Sequence, residues 1–404
     1  MKSPGTLLEA YRDISPPGTL DLIYRLGEGL QGRSMLHVNS TKMGGGVAEM
    51  LHRLIPMFRE LRIESKWEVM TGTPLFFKTT KSFHNALQGD EADLTGEMLE
   101  EYRKVNRENA VKLDLSGDMA VIHDPQPAAM IEHKLEESRW LWRCHIDISR
   151  PQRKAWNFVK PYVSRYDGAI FSLPSFAQRL KIPQYLVYPS IDPLSDKNRE
   201  LEPEQIDSIK AGFGLTDDRP IILQVSRFDK FKDPLGLIEA YKIVRKYHEC
   251  RLVLAGGGAS DDPEGVEVLA RVREEAERDA GILILDLPPD ANLAINALQR
   301  SADIIVQKSV KEGFGLTVAE GMWKGKPVIG GAVGGILAQI VYGLTGYTVN
   351  SIEGCAYRIR YLLNNPIMAG KLGRDAKEYT RKNFLITRHL IDYLSLMSLM
   401  MGLG

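Results

Sequence analysis

Short apolar runs alternate with longer stretches of helical period along most of the chain. In the first half, MLHV (35–38), WEVM (67–70), MAVIH (119–123), WLWRCHI (140–146), GAIF (168–171) and YLVY (185–188) have the length and composition of buried strands. Between them, VAEMLHRLIPMFREL (47–61) and LTGEMLEEYRKVNRENAVKL (94–113) repeat apolar residues three and four apart, as one face of a helix does. The second half is more regular. IILQVS (221–226), RLVLAG (251–256), ILILDL (282–287), DIIVQ (303–307) and PVIG (327–330) read as strands. They stand about 20–30 residues apart, the span of one βα unit. Near-continuous apolar strands separated by helices predict an α/β protein with parallel sheets covered on both faces.

The pattern lapses once, in YPSIDPLSDKNRELEPEQ (188–205), which is rich in Pro, Asp and Glu and has no apolar period. This predicts a linker. At 404 residues the chain also exceeds the ~250–300 at which a single core stops growing. Two doubly wound, Rossmann-like domains follow, at 1–190 and 191–384. The last apolar-periodic stretch, LITRHLIDYLSLMSLMM (385–401), is too short for a membrane span and carries Arg388 and Asp392. It reads as a helix, about 385–404, packing back on the first domain.

Composition narrows the function classes. Lys+Arg 52 balance Asp+Glu 52, so no global field holds the chain on nucleic acid or an anionic membrane. Cys144, Cys250 and Cys355 lack metal-ligand spacing, and an odd count argues against a disulfide framework. The N-terminus MKSPGTLLEAYRDISPPG has no long apolar centre and is not a secretion signal. The expectation is a soluble, cytoplasmic protein with neither membrane nor nucleic acid as partner.

Open parallel sheets bind ligands at the carboxyl ends of their strands, and two such domains facing each other enclose a cleft. Four loops fall at such ends. NSTKMGGGVAEML (39–51) places Gly44, Gly45 and Gly46 between a strand and a helix, where bare backbone amides can approach an anion. It matches neither G-x-x-x-x-G-K-[ST] nor G-x-G-x-x-G, and a tight corner is the other reading. QVSRFDKFKDP (224–234) carries Arg227 and Lys232, two cations that suit a diphosphate; a solvated basic loop is the alternative. KEGFGLTVAEGMW (311–323) is the most specific. Glu312 follows a strand, Gly313-Phe314-Gly315 leads into a helix near Leu316, and Glu320 lies eight residues beyond Glu312. Amides at that helix start form an anion site, and the flanking carboxylates would accept bonds from sugar or ribose hydroxyls. Finally, His84-Asn85 and His123-Asp124 pair a histidine with a polar neighbour. His123 ends a strand before Asp124, Pro125 and Gln126, which points it toward the cleft. His37 and His145, inside strands, read as core or ladder residues. No cluster has metal-ligand spacing.

Taken together, EGFGLTVAE, the SRF…K loop and GGGVAE resemble the retaining glycosyltransferases of the GT-B fold, the group that includes sucrose, glycogen and trehalose synthases. Within that group HVNSTKMGGGVAEMLHRLIP, FHNALQG, HDPQP, WLWRCHIDIS and PSIDPLSDKN are similar to the trehalose glycosyltransferring synthases, over about residues 34–395. The resemblance implies two Rossmann-like domains facing a deep cleft, with the N-terminal one on the acceptor side. It implies α,α-trehalose made reversibly from UDP- or ADP-glucose and free glucose, without cofactor or required metal, by a same-face reaction. The partners are then small molecules (nucleoside-diphosphate glucose, glucose, trehalose), with room for a homodimer. Carried onto this sequence, Arg227 and Lys232 would hold the donor diphosphate and Glu320 the ribose. Glu312 and the amides of Gly313, Phe314, Gly315 and Leu316 would face the donor glucose and phosphate. Gly45 and Gly46 would close over the diphosphate, and His123 would touch the transferring sugar. The acceptor glucose would lie near Trp67, His84, Asn85, Asp124 and Gln126. One departure stands out: Asp233 follows Lys232 where the family often has Gly, adding a negative charge expected to weaken donor binding. Three other readings stay open: a sister transferase using fructose, a sugar phosphate or a glucan; a nucleotide-sugar epimerase; or a non-catalytic binding module. The intact Arg227, Lys232, Glu312 and Glu320 stand against the last.

Overall fold

The computed structural model describes residues 6–42, 45–257 and 263–403. Two compact units emerge, Met1–Ser190 with Ile386–Gly404, and Ile191–Leu385.

The first unit is a six-stranded parallel sheet of β1 (Ser34–Asn39), β2 (Glu64–Val69), β3 (Met119–His123), β4 (Arg139–Arg143), β5 (Gly168–Phe171) and β6 (Gln184–Leu186). Its order is β2-β1-β3-β4-β5-β6, so the winding direction reverses between β1 and β3. Every residue of β3 is buried, which is why MAVIH shows no alternation. The helix Gly45–Glu60 after β1 covers one face with Leu51, Leu54, Met57 and Phe58. The helix Ile386–Met400 closes the unit with Leu390, Tyr393, Leu394 and Met397, and Thr387 meets Ser15 hydroxyl to hydroxyl at 2.9 Å.

The second unit contains β7 (Ile221–Val225), β8 (Arg251–Gly256), β9 (Ile282–Asp286), β10 (Ile304–Gln307), β11 (Val328–Gly331) and β12 (Tyr347–Val349), all parallel, in the order β12-β11-β10-β7-β8-β9. Here the reversal lies between β7 and β10. Successive residues feed two separate cores. Ile222, Leu254 and Ile304 join one with Leu237 and Tyr241, while Leu223, Val253 and Ile305 join the other with Val318 and Met322.

Besides small shifts at the ends of β2 and β6, three details differ from the sequence reading. The sheet of the second unit has a sixth strand, β12, only three residues long and hidden behind the turn at Gly343–Gly346. The strand read over 140–146 ends at Arg143, because Asp124 intervenes: its own N–H bonds the Arg143 carbonyl at 2.7 Å and its Oδ1 takes the His145 N–H at 2.8 Å. The polar segment 188–205 is packed rather than loose. Asn296 donates to the carbonyls of Asp196 and Arg199 at 2.9 and 2.8 Å, and Asn198 is buried.

Candidate functional site

In the C-terminal unit the loops after β7 and β10 leave neighbouring strands at the reversal point, so they lie side by side. Asp229 folds the first loop by accepting the N–H groups of Phe231 and Lys232 at 3.0 and 3.1 Å. Buried Gln224 donates to the Lys232 carbonyl at 2.8 Å, and the Val310 N–H bonds the Phe231 carbonyl at 2.8 Å, tying one loop to the other. Lys232 Nζ then reaches Glu312 Oε2 at 2.6 Å, with side-chain exposures of only 17% and 9%. Ser309 Oγ donates to the same carboxylate oxygen at 3.1 Å.

Glu312 stands just before the helix Leu316–Trp323, whose N-cap, Gly315, has φ +83°. That left-handed turn lets the chain enter the helix at once, and only glycine adopts it without strain. Behind it, Gln339 donates to the Phe314 carbonyl at 2.5 Å, and a Cβ on Gly334 would collide with the Glu312 carbonyl oxygen. The Leu316 and Thr317 N–H groups of the first turn have no intrahelical acceptor, while the Val318 N–H bonds the Gly315 carbonyl at 2.9 Å, and the positive end of the helix dipole lies there. Thus Lys232, Glu312, Gly313, Gly315 and Leu316 lie together at the entry to this helix. Phe314 contributes only backbone there, since its ring is buried edge-on against Phe384 at 5.6 Å.

Arg227 and Glu320 differ from that cluster. Arg227 is 62% exposed in its side chain, with Nη2 3.0 Å from Asp229 Oδ2. Glu320 is 2% exposed; Gln299 Nε2 donates to its Oε2 at 3.2 Å, and Lys197 Nζ stands 3.9 Å from Oε1. Beside it, burial pushes the Lys324 ammonium down to about 7 despite the pull of the Glu320 charge.

The N-terminal unit presents a different chemistry at its reversal point. His123, 3% exposed at the end of β3, has both ring nitrogens engaged: Nε2 with His37 Nδ1 at 3.0 Å and Nδ1 with His145 Nε2 at 2.8 Å. His37 Nε2 faces the Met35 sulfur at 3.2 Å. A thioether only accepts, so we assign all three rings as Nε2–H tautomers, donating in the order His145 to His123 to His37 to Met35. Burial holds them uncharged, pushing His37 down to about 3 and His123 and His145 well below the usual range; the Arg143 cation adds to the shift at the last two. His37 and His145, read from sequence as core or ladder residues, are therefore partners of His123. With both nitrogens committed, the His123 ring is held inside the unit, not presented as a free donor.

Asp124, next in the chain, has φ +66°, and burial raises its carboxyl to about 6. Gln126 is held by its carbonyl, which accepts from Asn106 Nδ2 at 3.0 Å, while its buried side-chain oxygen has no protein partner. Trp67 on β2 donates to Asn39 Oδ1 at 2.8 Å and stands edge-on to His52 at 4.8 Å. Asn39 Nδ2 in turn donates to the Thr41 carbonyl at 2.7 Å, and His52 Nε2 meets the Lys42 carbonyl at 3.0 Å. Asn39 and His52 thus brace the glycine-rich loop that Gly45 and Gly46 continue as the first residues of their helix; Gly44 lies outside the described residues. His84 and Asn85 occupy the last turn of the helix Pro74–Leu87, half-buried. Among the described residues no group of three or more His, Cys, Asp or Glu could hold a metal ion, and no helix is long and apolar enough to cross a membrane.

The two doubly wound parallel sheets have the architecture of the GT-B fold. The structure of an α,α-trehalose-phosphate synthase from Burkholderia xenovorans superposes with a TM-score of 0.72 at 14% identity, over 91% of this chain and 100% of that one. Residues 205–383 match the family of glycosyl transferases group 1, and residues 37–178 match the trehalose synthase N-terminal domain. A trehalose synthase from Pyrococcus horikoshii is 46% identical over 403 residues, covering 98% of this chain and 97% of its own. The chain belongs to the trehalose synthase family, and its activity is a trehalose-related hexosyl transfer. A trehalose phosphorylase from Pleurotus pulmonarius is also related, at 28% identity over 84% of this chain and 53% of its own.

Proposed function

We propose that the protein is a retaining, metal-independent glucosyltransferase that makes α,α-trehalose reversibly from a nucleoside-diphosphate glucose and free glucose. The observation that carries this reading is the buried Lys232–Glu312 pair beside the open first turn of Leu316–Trp323. A cation held beside a carboxylate can exchange it for a phosphate oxygen, and the helix N-terminus favours the same anion. Exposed Arg227 can turn from Asp229 onto the diphosphate, and the Glu320 carboxylate suits ribose hydroxyls.

In the reaction, the bond from glucose C1 to the phosphate oxygen breaks as a bond to the acceptor hydroxyl oxygen forms on the same face. The acceptor proton passes to the departing phosphate. Negative charge grows on the diphosphate, and Lys232, Arg227 and the helix amides stabilise it without a divalent ion. We assign the acceptor glucose to the N-terminal unit, where the unpartnered oxygen of Gln126 and the Asp124 carboxyl offer acceptors to its hydroxyls.

The test is incubation with UDP-glucose or ADP-glucose and glucose in the presence of EDTA, with the product linkage read by NMR. The expected result is α,α-trehalose, with nucleoside diphosphate released only when glucose is present. Trehalose formed from glucose 1-phosphate, with inorganic phosphate released, would replace this reading by a phosphorolytic one. Turnover only with fructose, a sugar phosphate or a glucan would redirect the acceptor, and conversion without any acceptor would mark an epimerase.

A further inference from the structure

Lys232 and Asp233 are adjacent and opposite in charge, and both pair with the loop after β10. Lys232 meets Glu312 at 2.6 Å, and Asp233 Oδ2 is in contact with Lys308 Nζ. The two pairs cross the same gap with opposite polarity, so the four charges sum to zero. The Asp233 carboxylate is also fixed by its backbone. Its φ is +48°, a left-handed conformation that aspartate tolerates better than most residues, and its Oδ1 accepts the Gly236 N–H at 3.1 Å as N-cap of the helix Pro234–Arg245. Residue 236 is glycine where a Cβ would run into that carboxylate. Lys308 is itself buried at 8% exposure, on the residue that follows β10.

We propose that Lys308 is a positioning residue for donor binding: by clamping Asp233 it cancels the negative charge set beside Lys232, so the diphosphate meets Lys232 and the helix amides without repulsion. The proposal rests on the nucleoside-diphosphate reading above. It explains how the chain carries an aspartate next to its phosphate-binding lysine: the added charge arrives with its own counterion and is turned into a helix cap. It also separates Lys308 from Lys232. Lys232 would touch the donor, whereas Lys308 acts only through Asp233.

The test is calorimetric titration of the full chain with UDP and with ADP, for the wild type, Lys308→Met, Asp233→Gly and the double variant. Lys308→Met is expected to weaken nucleotide binding by about tenfold, from one uncompensated charge near the diphosphate. Asp233→Gly, which suits the left-handed backbone, should bind at least as tightly as the wild type. The double variant should return to within about threefold of it, since the charge needing a partner is gone. If the double variant stays as weak as Lys308→Met, Lys308 is a direct phosphate ligand and the proposal is overturned. It is equally overturned if Lys308→Met lowers the unfolding temperature but leaves the affinity unchanged. A wild type that binds neither nucleotide would remove the donor reading itself, a result distinct from either of these.

Discussion

The two units use the same device, a reversal point in a parallel sheet, and fill it with opposite electrostatics. At the first stand three imidazoles, His37 on β1, His123 on β3 and His145 just past β4, kept neutral by burial and joined ring to ring by hydrogen bonds. Just past β7 and β10 stand four ionisable side chains joined in two crossed ion pairs. Sheet topology decides where a ligand site can lie, but not its polarity. That is set by the few residues at the strand ends: His37 and His123 on β1 and β3, Lys232 and Glu312 just past β7 and β10. A neutral site suits hydroxyl recognition, and a charged one suits a leaving group that gains charge.

The largest expected effect breaks the charged side. In the proposed reaction Lys232→Ala removes one preorganised donor to the developing diphosphate charge, which typically costs about 10²–10³ in rate, or ~2.7–4 kcal/mol. Turnover should fall by that factor in a steady-state assay, with an unfolding temperature near the wild type, because Glu312 keeps its bond from Ser309. Wild-type turnover would take Lys232 out of the reaction.

The neutral side is broken by acid. Histidines whose folded pKa lies below the unfolded value of ~6.5 contribute stability that is whole above that value and is lost as pH falls toward the folded one. For His37 the window runs from ~6.5 down to about 3. His123, His145 and His389 are shifted the same way. Each such group removes at most ~1.4 kcal/mol per pH unit within its window. Thermal unfolding should therefore drop steeply between pH 6.5 and 4.5, and a flat profile would mean the rings are not buried neutral.

Much of this architecture is legible in the order of residues alone. Eight of the twelve described strands coincide closely with their apolar runs, because strands covered on both faces must be apolar throughout. Four do not: WEVM starts three residues after β2 does, WLWRCHI and YLVY run past the ends of β4 at Arg143 and β6 at Leu186, and β12 is too short to leave a pattern. The convergence of Lys232 with Glu312 follows from both loops leaving strand ends. Partners made by register leave no such trace in the chain. His37 and His123 sit 86 residues apart and meet only because β1 pairs with β3. Likewise the Asp233 charge reads as a defect until Lys308 is seen against it.

Asp124 sharpens the comparison because its shift opposes that of the histidines. Burial raises its carboxyl from 3.8 to about 6, so the folded state holds the proton longer, and stability falls as pH rises through that interval. Asp124→Asn keeps the left-handed backbone and the bond from the His145 N–H but cannot ionise. The variant should match the wild type near pH 4, be more stable above pH 6, and steepen the acid dependence left by the histidines. Parallel pH profiles of unfolding temperature for the two proteins would refute the assignment.

The smallest effect decides how Trp67 takes part. The resemblance places it with the acceptor, yet its indole N–H is spent on Asn39, whose amide braces the Thr41 carbonyl ahead of Gly45 and Gly46. Trp67→Phe keeps a ring against His52 and deletes one neutral hydrogen bond, a loss of about 0.5–1.5 kcal/mol. If Trp67 acts through Asn39 on the glycine-rich loop, KM for the nucleotide sugar rises by roughly two- to tenfold while KM for the acceptor stays put. If it touches the acceptor, the two constants exchange roles. Measuring both in one variant therefore assigns Trp67 to the phosphate loop or to the sugar, and with it tells whether β1 and β2 serve the charged ligand or the neutral one.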